Sequence, residues 1–239
     1  MAERGMNRAC ILLFVKSPVH GPVKSRLAQT VGAEMATSLY RNFVLDMLET
    51  LSDVTAAGRS DLRVCFFPAA AAEEIRKWLG DDYALLPQEG NDLGERMKNA
   101  FLTCFTAGYR RVIVLGSDTP DLTSDNITEG LDCLNRHGAV IGPARDGGYY
   151  LLGFQATAFS AAIFSGMPWS TARVFDLTME ALRRAGADVC VLPPWRDIDT
   201  FADLQALREG SSKGGFSRSR TLRYLHSYAE SLPPGGKKD

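Results

Sequence analysis

Histidine is scarce in this sequence, cysteines are not spaced in pairs, and there is no long apolar run. The three histidines, His20, His137 and His226, are scattered and have no cysteine companions at ligand spacing, which argues against a zinc site. The five cysteines, Cys10, Cys65, Cys104, Cys133 and Cys190, contain no Cys-x-x-Cys pair and lie mostly in apolar runs such as Val64-Cys65-Phe66-Phe67. They read as reduced thiols of the core. Nothing approaches the ~18 consecutive apolar residues of a membrane span. The run from Ala9 to Val15 stops at Lys16 without the small-residue cleavage pattern of a secretory signal. A cytoplasmic location with no membrane partner is therefore expected. The formal net charge of -1 provides no positive field for nucleic acid, so any phosphate site must be local. No Gly-x-Gly-x-x-Gly occurs and Val23 precedes Lys24, which removes support for dehydrogenase and P-loop ATPase readings.

What is present suits one α/β domain. The 239 residues fit the roughly 200 to 250 that such domains reach without splitting, and 45% hydrophobic residues can fill a sizeable core. Short apolar runs at Cys10 to Val15, Leu62 to Phe67, Val112 to Leu115, Ala139 to Gly142, Tyr149 to Gly153 and Val189 to Leu192 read as strands. Between them, Ala36, Tyr40, Phe43, Val44, Met47, Leu48 and Leu51 form one helical stripe, and Met97, Ala100, Phe101, Cys104 and Phe105 another. Ile127, Leu131 and Leu134 mark a further helix, and Val174, Leu177, Ala181 and Leu182 one more, with Ser170 as its expected cap. This alternation predicts a three-layer α/β/α, Rossmann-like fold with a mainly parallel sheet. The domain should span 1–209. Residues 210–239 read as a flexible linker, a short helix built on Leu222, Tyr224, Leu225, Tyr228 and Leu232, and a disordered tail. That helix could dock on the body or on a second subunit, which leaves a homo-oligomer open.

In such sheets ligands gather beyond the carboxyl ends of the strands, so residues just after a strand carry the most information. After the first strand, Lys16, Gly21, Lys24 and Arg26 offer cations and a glycine for close approach, a pattern suited to a polyphosphate; ordinary solvated surface is the competing reading. In Leu115-Gly116-Ser117-Asp118-Thr119-Pro120 a strand delivers Asp118 into the crevice, where Mg2+ on a nucleotide takes one or two carboxylates. The alternative is a turn whose Asp121 or Thr123 caps the next helix. After the last strand, Asp197 and Asp199 point to one side if extended and could complete a metal site, unless Asp199 or Thr200 merely caps a helix through a capping box with Asp203. In Gly142 to Gly153, Gly147 and Gly148 either close a hairpin or admit a ligand to the backbone, with Asp146 orienting an acceptor hydroxyl. Two weaker signals open helices: Asn91 or Asp92 as cap with Arg96 within reach of phosphate, and Trp169 as entry packing or a stacking platform.

Taken together, Lys16 to Leu27, Gly90 to Met97, Gly116 to Pro120, Gly142 to Gly153 and Asp197 to Thr200 resemble, over about residues 10 to 209, a bacterial family classed as glycosyltransferases. That family looks like a branch of the nucleotide-diphospho-sugar transferase superfamily (glycosyltransferase-A-like fold), beside molybdenum-cofactor nucleotidyltransferases and phospholactate guanylyltransferases. The resemblance implies phosphate binding by Lys24 and Arg26, a central metal ligand at Asp118, further ligation by Asp197 and Asp199, and an acceptor side shaped by Gly147 and Gly148. It also implies Mg2+ or Mn2+ as cofactor, and a nucleotide or nucleotide-sugar with a small acceptor as partners. Two departures stand out. The Lys16 to Leu27 segment does not match the Leu-x-x-Gly-x-Ser-x-Arg-Met-Gly loop of the molybdenum-cofactor enzymes, and Thr119 occupies the second acidic position of a glycosyltransferase Asp-x-Asp motif. The expected function is metal-dependent glycosyl transfer. The alternatives are nucleotidyl transfer with pyrophosphate release, or nucleotide-sugar binding without catalysis.

Overall fold

The computed structural model describes residues 8–18, 23–56, 58, 60–210 and 215–228. Its strands are β1 Ala9–Lys16, β2 Ser60–Phe67, β3 Ala84–Pro87, β4 Arg111–Leu115, β5 Ala139–Pro143, β6 Tyr149–Gln155 and β7 Val189–Val191. The helices are α1 Ser25–Val31, α2 Ala33–Ala56, α3 Ala72–Leu79, α4 Leu93–Thr106, α5 Ser124–Cys133, α6 Val174–Arg184, α7 Phe201–Gly210 and α8 Arg220–Ser227. The strands form one seven-stranded sheet in the order β3-β2-β1-β4-β6-β5-β7. Every described pairing is parallel except those of β6, which runs antiparallel to both β4 and β5. The mainly parallel sheet is thus as expected, with the β5–β6 hairpin inserted between β4 and the edge strand β7.

The layers follow from the two-residue period of β1. Ala9, Ile11, Leu13 and Val15 face a cluster built with Tyr40, Val44, Met47 and Leu48 of α2, Ile75 of α3 and Ile127 of α5. Cys10, Leu12 and Phe14 face the other layer, with Met97 and Phe101 of α4 and Leu182 of α6. A strand buried on both faces explains why β1 reads as an uninterrupted apolar run. α2 also shares a third cluster: its Ala36, Leu39 and Phe43 pack with Leu27 of α1, Ile198 in the segment before α7, Leu204 and Leu207 of α7 itself, and Leu222 and Leu225 of α8.

Several local expectations change. β3 escapes the sequence because it has only four residues, the last of them Pro87. α6 starts at Val174 with Arg173 as its N-cap residue; Ser170 lies outside it in a left-handed conformation (φ 65°) and does not cap. Cys133 and Cys190 form a disulfide with Cα atoms 6.1 Å apart, where five thiols were expected. The contact joins the end of α5 to β7 across 57 residues of sequence, a distance over which spacing carries no signal. Cys10, Cys65 and Cys104 are free and buried as expected. No helix among the described residues is long and apolar enough to cross a membrane. The tail from residue 229 onward, Leu232 included, and linker residues 211–214 lie outside the described residues.

Candidate active site

Because β1, β4, β5 and β7 run the same way, the loops after them open on one edge of the sheet. Lys24, in the loop after β1, is the N-cap residue of α1 and is left-handed (φ 52°, ψ 47°). A non-glycine residue held there costs of order 1–3 kcal/mol, a kind of strain that clusters at functional sites. Its side chain turns inward and is only 3% exposed, with Nζ 2.6 Å from Asp118 Oδ1 and 2.9 Å from Asp199 Oδ1. The Phe43 ring lies below, 5.8 Å from Nζ. Burial opposes the charge on this lysine, but the two carboxylates outweigh it and hold its pKa above the ordinary value. Lys24 is therefore a permanent cation inside an acidic cluster.

Backbone contacts assemble the acids. Asp118 follows Gly116 and Ser117 at the end of β4, and its carbonyl accepts from the Ile198 N–H at 2.9 Å, which holds the segment after β7 beside it. Thr200 and Asp203 cap α7 reciprocally: the Asp203 carboxylate accepts from the Thr200 N–H at 2.9 Å and Thr200 Oγ1 accepts from the Asp203 N–H at 3.3 Å. Thr200 thus takes the cap and leaves Asp199 to meet Lys24. On the other side, the Trp195 N–H donates to the Pro143 carbonyl and the Arg145 N–H to the Trp195 carbonyl, both at 3.0 Å, drawing the loop after β5 toward the same place. Trp195 is fixed in turn by its indole N–H, which donates to Asp121 at 3.0 Å; Thr123, not Asp121, caps α5. The carboxyl group of Asp197 is pushed up to about 8, first by burial, then by the charges of Asp118 and Asp146, with Lys24 opposing.

The other predicted residues divide. Lys16 is exposed at the end of β1 and its N–H donates to the Tyr40 hydroxyl at 2.7 Å. Arg26 is exposed in the first turn of α1, and Gly21 lies outside the described residues. Arg96 belongs to the β2–β3 side of the edge, stacked 3.6 Å over Phe67 with Nε donating to the Gly90 carbonyl at 3.1 Å. Its helix begins with Asp92 as cap, accepting from the Glu95 N–H at 2.8 Å. Asp146 is exposed and accepts from the Gly148 N–H at 2.9 Å. Gly147 (φ 89°) has a packing reason: a Cβ there would lie 2.1 Å from the Ala172 carbonyl oxygen. Trp169 packs on Gly94 at the start of α4, where a Cβ would come within 2.6 Å of its ring. Tyr40 was read only as core. Its hydroxyl accepts from Lys16 N–H and, at 3.3 Å, from Ser117 Oγ, which ties the loop after β1 to the loop after β4. A tyrosine hydroxyl in a stripe with no other polar side chain was the available signal, since a buried phenol needs a partner.

The donor chemistry suits a hard divalent cation: oxygen ligands only, with burial and then the neighbouring carboxylates Asp118 and Asp146 raising Asp197. Among the described residues no three acids are yet drawn to ligand spacing, and the Lys24 ammonium bridges two of them. Two cavities, of about 320 and 190 Å³, open elsewhere, at the amino ends of β1 and β4 around Arg111 and Asn135.

Residues 50–171 match the family model described as "Uncharacterized protein conserved in bacteria (DUF2064)". A protein of Desulfovibrio desulfuricans G20, described as a "putative nucleotide-diphospho-sugar transferase", is 42% identical, with 95% of this chain and 97% of that one covered and a TM-score of 0.89. A cytidylyltransferase from Leptospira borgpetersenii shares the fold at 14% identity, covering 98% of this chain and 100% of that one with a TM-score of 0.55. The 4-diphosphocytidyl-2C-methyl-D-erythritol synthase of Anaerococcus prevotii does so at 14% identity, covering 83% and 95% with a TM-score of 0.53. No curated protein matches.

Proposed function

The chain belongs to the bacterial family DUF2064, and from that premise we propose that it is a transferase moving a sugar from a nucleotide-sugar to a small acceptor with the help of Mg2+ or Mn2+. The observation that carries the reading is the buried Lys24 ammonium, bridged to Asp118 and Asp199 at the strand edge where a diphosphate would lie. The name of the D. desulfuricans relative supports the same donor class.

Asp118, with Asp197 and Asp199, would hold the divalent cation, which when bound supplies positive charge to the diphosphate leaving group. Binding would convert Asp197 to its carboxylate and free Lys24 to face phosphate oxygens, with Lys16 and Arg26 adding charge from the rim. The donor would thereby be gripped by groups already charged and oriented, the condition under which electrostatic stabilisation is most effective. Asp146, exposed and held by the Gly148 N–H, would accept the acceptor hydroxyl's proton as its oxygen bonds to the sugar carbon and the carbon–oxygen bond to diphosphate breaks.

A second reading, nucleotidyl transfer, is favoured by the same lysine. A phosphorylated acceptor would attack the α-phosphorus of a nucleoside triphosphate and pyrophosphate would leave, a reaction that needs cations more than a base. The cytidylyltransferases that share the fold support it only at the level of architecture. The two are separated by product analysis. Consumption of a nucleotide-sugar with release of nucleoside diphosphate supports the first, and pyrophosphate from a triphosphate supports the second. Metal-dependent binding without turnover over a broad acceptor panel would leave a non-catalytic nucleotide-sugar binder.

A further inference from the structure

α8 lies far along the chain from Lys24 and Asp118, yet it is bolted to α2 by a buried acid. Asp46, 5% exposed, accepts from the N–H of Arg220 at 2.8 Å, the N–H of Thr221 at 3.0 Å and the Thr221 hydroxyl at 2.6 Å. These are first-turn donors of α8, groups that a helix cannot satisfy internally; Ser219 caps the next, accepting from the Leu222 N–H at 3.1 Å. The Asp46 charge is thus met by the positive end of the helix, with the Arg220 guanidinium 3.8 Å away and also paired to Glu49. A buried carboxylate is costly unless satisfied, so Asp46 specifies where α8 begins and how it is turned.

That orientation buries Leu222 and Leu225 in the cluster of Leu27, Phe43 and Ile198. Each of these three touches the site by sequence or contact. Leu27 is one helical turn beyond Lys24, the Phe43 ring lies beneath the Lys24 ammonium, and Ile198 stands between Asp197 and Asp199 and bonds to Asp118. We propose that α8, held by the Asp46–Thr221 clasp, is a positioning element of the site: it closes the apolar floor on which the ammonium of Lys24 and the carboxylate of Asp199 are set. Asp46 and Thr221 act through that floor and touch no ligand. The element itself is inferred from packing, and only its effect on phosphate binding rests on the nucleotide reading above.

The test uses the full chain. Thr221→Val removes the hydroxyl donor at nearly constant shape, and Asp46→Asn removes the charge; Leu182→Ala, in the layer on the other side of the sheet, serves as a control of comparable lost stability. Hydrogen exchange is followed over residues 25–31 and 198–207, and binding of inorganic pyrophosphate is measured with Mg2+. The expected result is faster exchange in both spans and about tenfold weaker pyrophosphate binding in the clasp variants, since small displacements of charged groups cost this much, with neither change in Leu182→Ala. Unaltered exchange in the two spans, equal changes in the control, or faster exchange with unaltered pyrophosphate affinity would each overturn the proposal. If the wild type binds no pyrophosphate, the nucleotide reading fails and exchange alone decides whether α8 positions the floor.

Discussion

The two sides of the site are built differently. On the side proposed to hold the donor, Lys24 is buried, strained and held by two acids, with Tyr40 and the Asp118–Ile198 bond locking the loops to one another. On the side proposed to face the acceptor, Asp146 is exposed and steadied by the Gly148 amide, and the loop is anchored where the Phe175 N–H meets the Gly147 carbonyl at 2.8 Å. One half is preorganised for charge and the other is left open. That division suits an enzyme whose donor always presents the same phosphates while its acceptor supplies the shape.

The comparison can be broken from either side. The largest effect is expected from Asp118→Asn, which keeps shape and removes charge: activity should fall about 1000-fold, the upper range for losing one electrostatic stabiliser, and steady-state assays at saturating metal check it. Asp146→Asn should lower kcat about 100-fold, a usual size for losing a general base, while calorimetry finds donor affinity unchanged. Equal loss of donor affinity would erase the distinction between the two sides. Gly147→Ala forces a Cβ into the Ala172 backbone at positive φ and should lower unfolding stability by about 2 kcal/mol, read by denaturant titration.

Asp197→Asn should do the opposite. The folded pKa of Asp197 is raised from 3.8 to about 8, so the proton is held more tightly in the folded state. Its contribution to stability is full below the unfolded value and is lost as pH rises to about 8. The asparagine variant should therefore gain on the wild type between pH 4 and 8 and keep a constant lead above, about 1 kcal/mol once solvent screening of a partly buried group is allowed for. Melting curves in EDTA at pH 5 and 8.5 test this. A gain that does not grow with pH would remove the cause assigned to the shift.

Much of this was legible because the main determinants are local. β1 is a buried strand on both faces and reads so, and the Thr200–Asp203 cap forms as its spacing suggests. Asp118, Asp197 and Asp199 stood out because each follows a strand, and strand ends share an edge. What stayed hidden depends on long-range contact. The Lys24–Asp199 bond spans 175 residues, Cys133 meets Cys190 only because α5 packs near β7, and the clasp of Asp46 on α8 leaves no mark in spacing. Gly147 carries two meanings that sequence cannot separate, hairpin closure and ligand approach; the hairpin forms, and the close packing of Gly147 on the Ala172 carbonyl left no mark in the sequence.

The central claim is that the acids around Lys24 bind a metal-associated nucleotide. It is tested most directly by melting the wild-type protein with Mg2+ or Mn2+ against a panel of nucleotide-sugars and nucleoside triphosphates, each repeated in EDTA. Ligand at ~100 times its dissociation constant adds about 2.7 kcal/mol of stability, so a clear upward shift with at least one nucleotide, abolished by EDTA, is predicted. An upward shift that survives EDTA, or none with any nucleotide, would contradict the account.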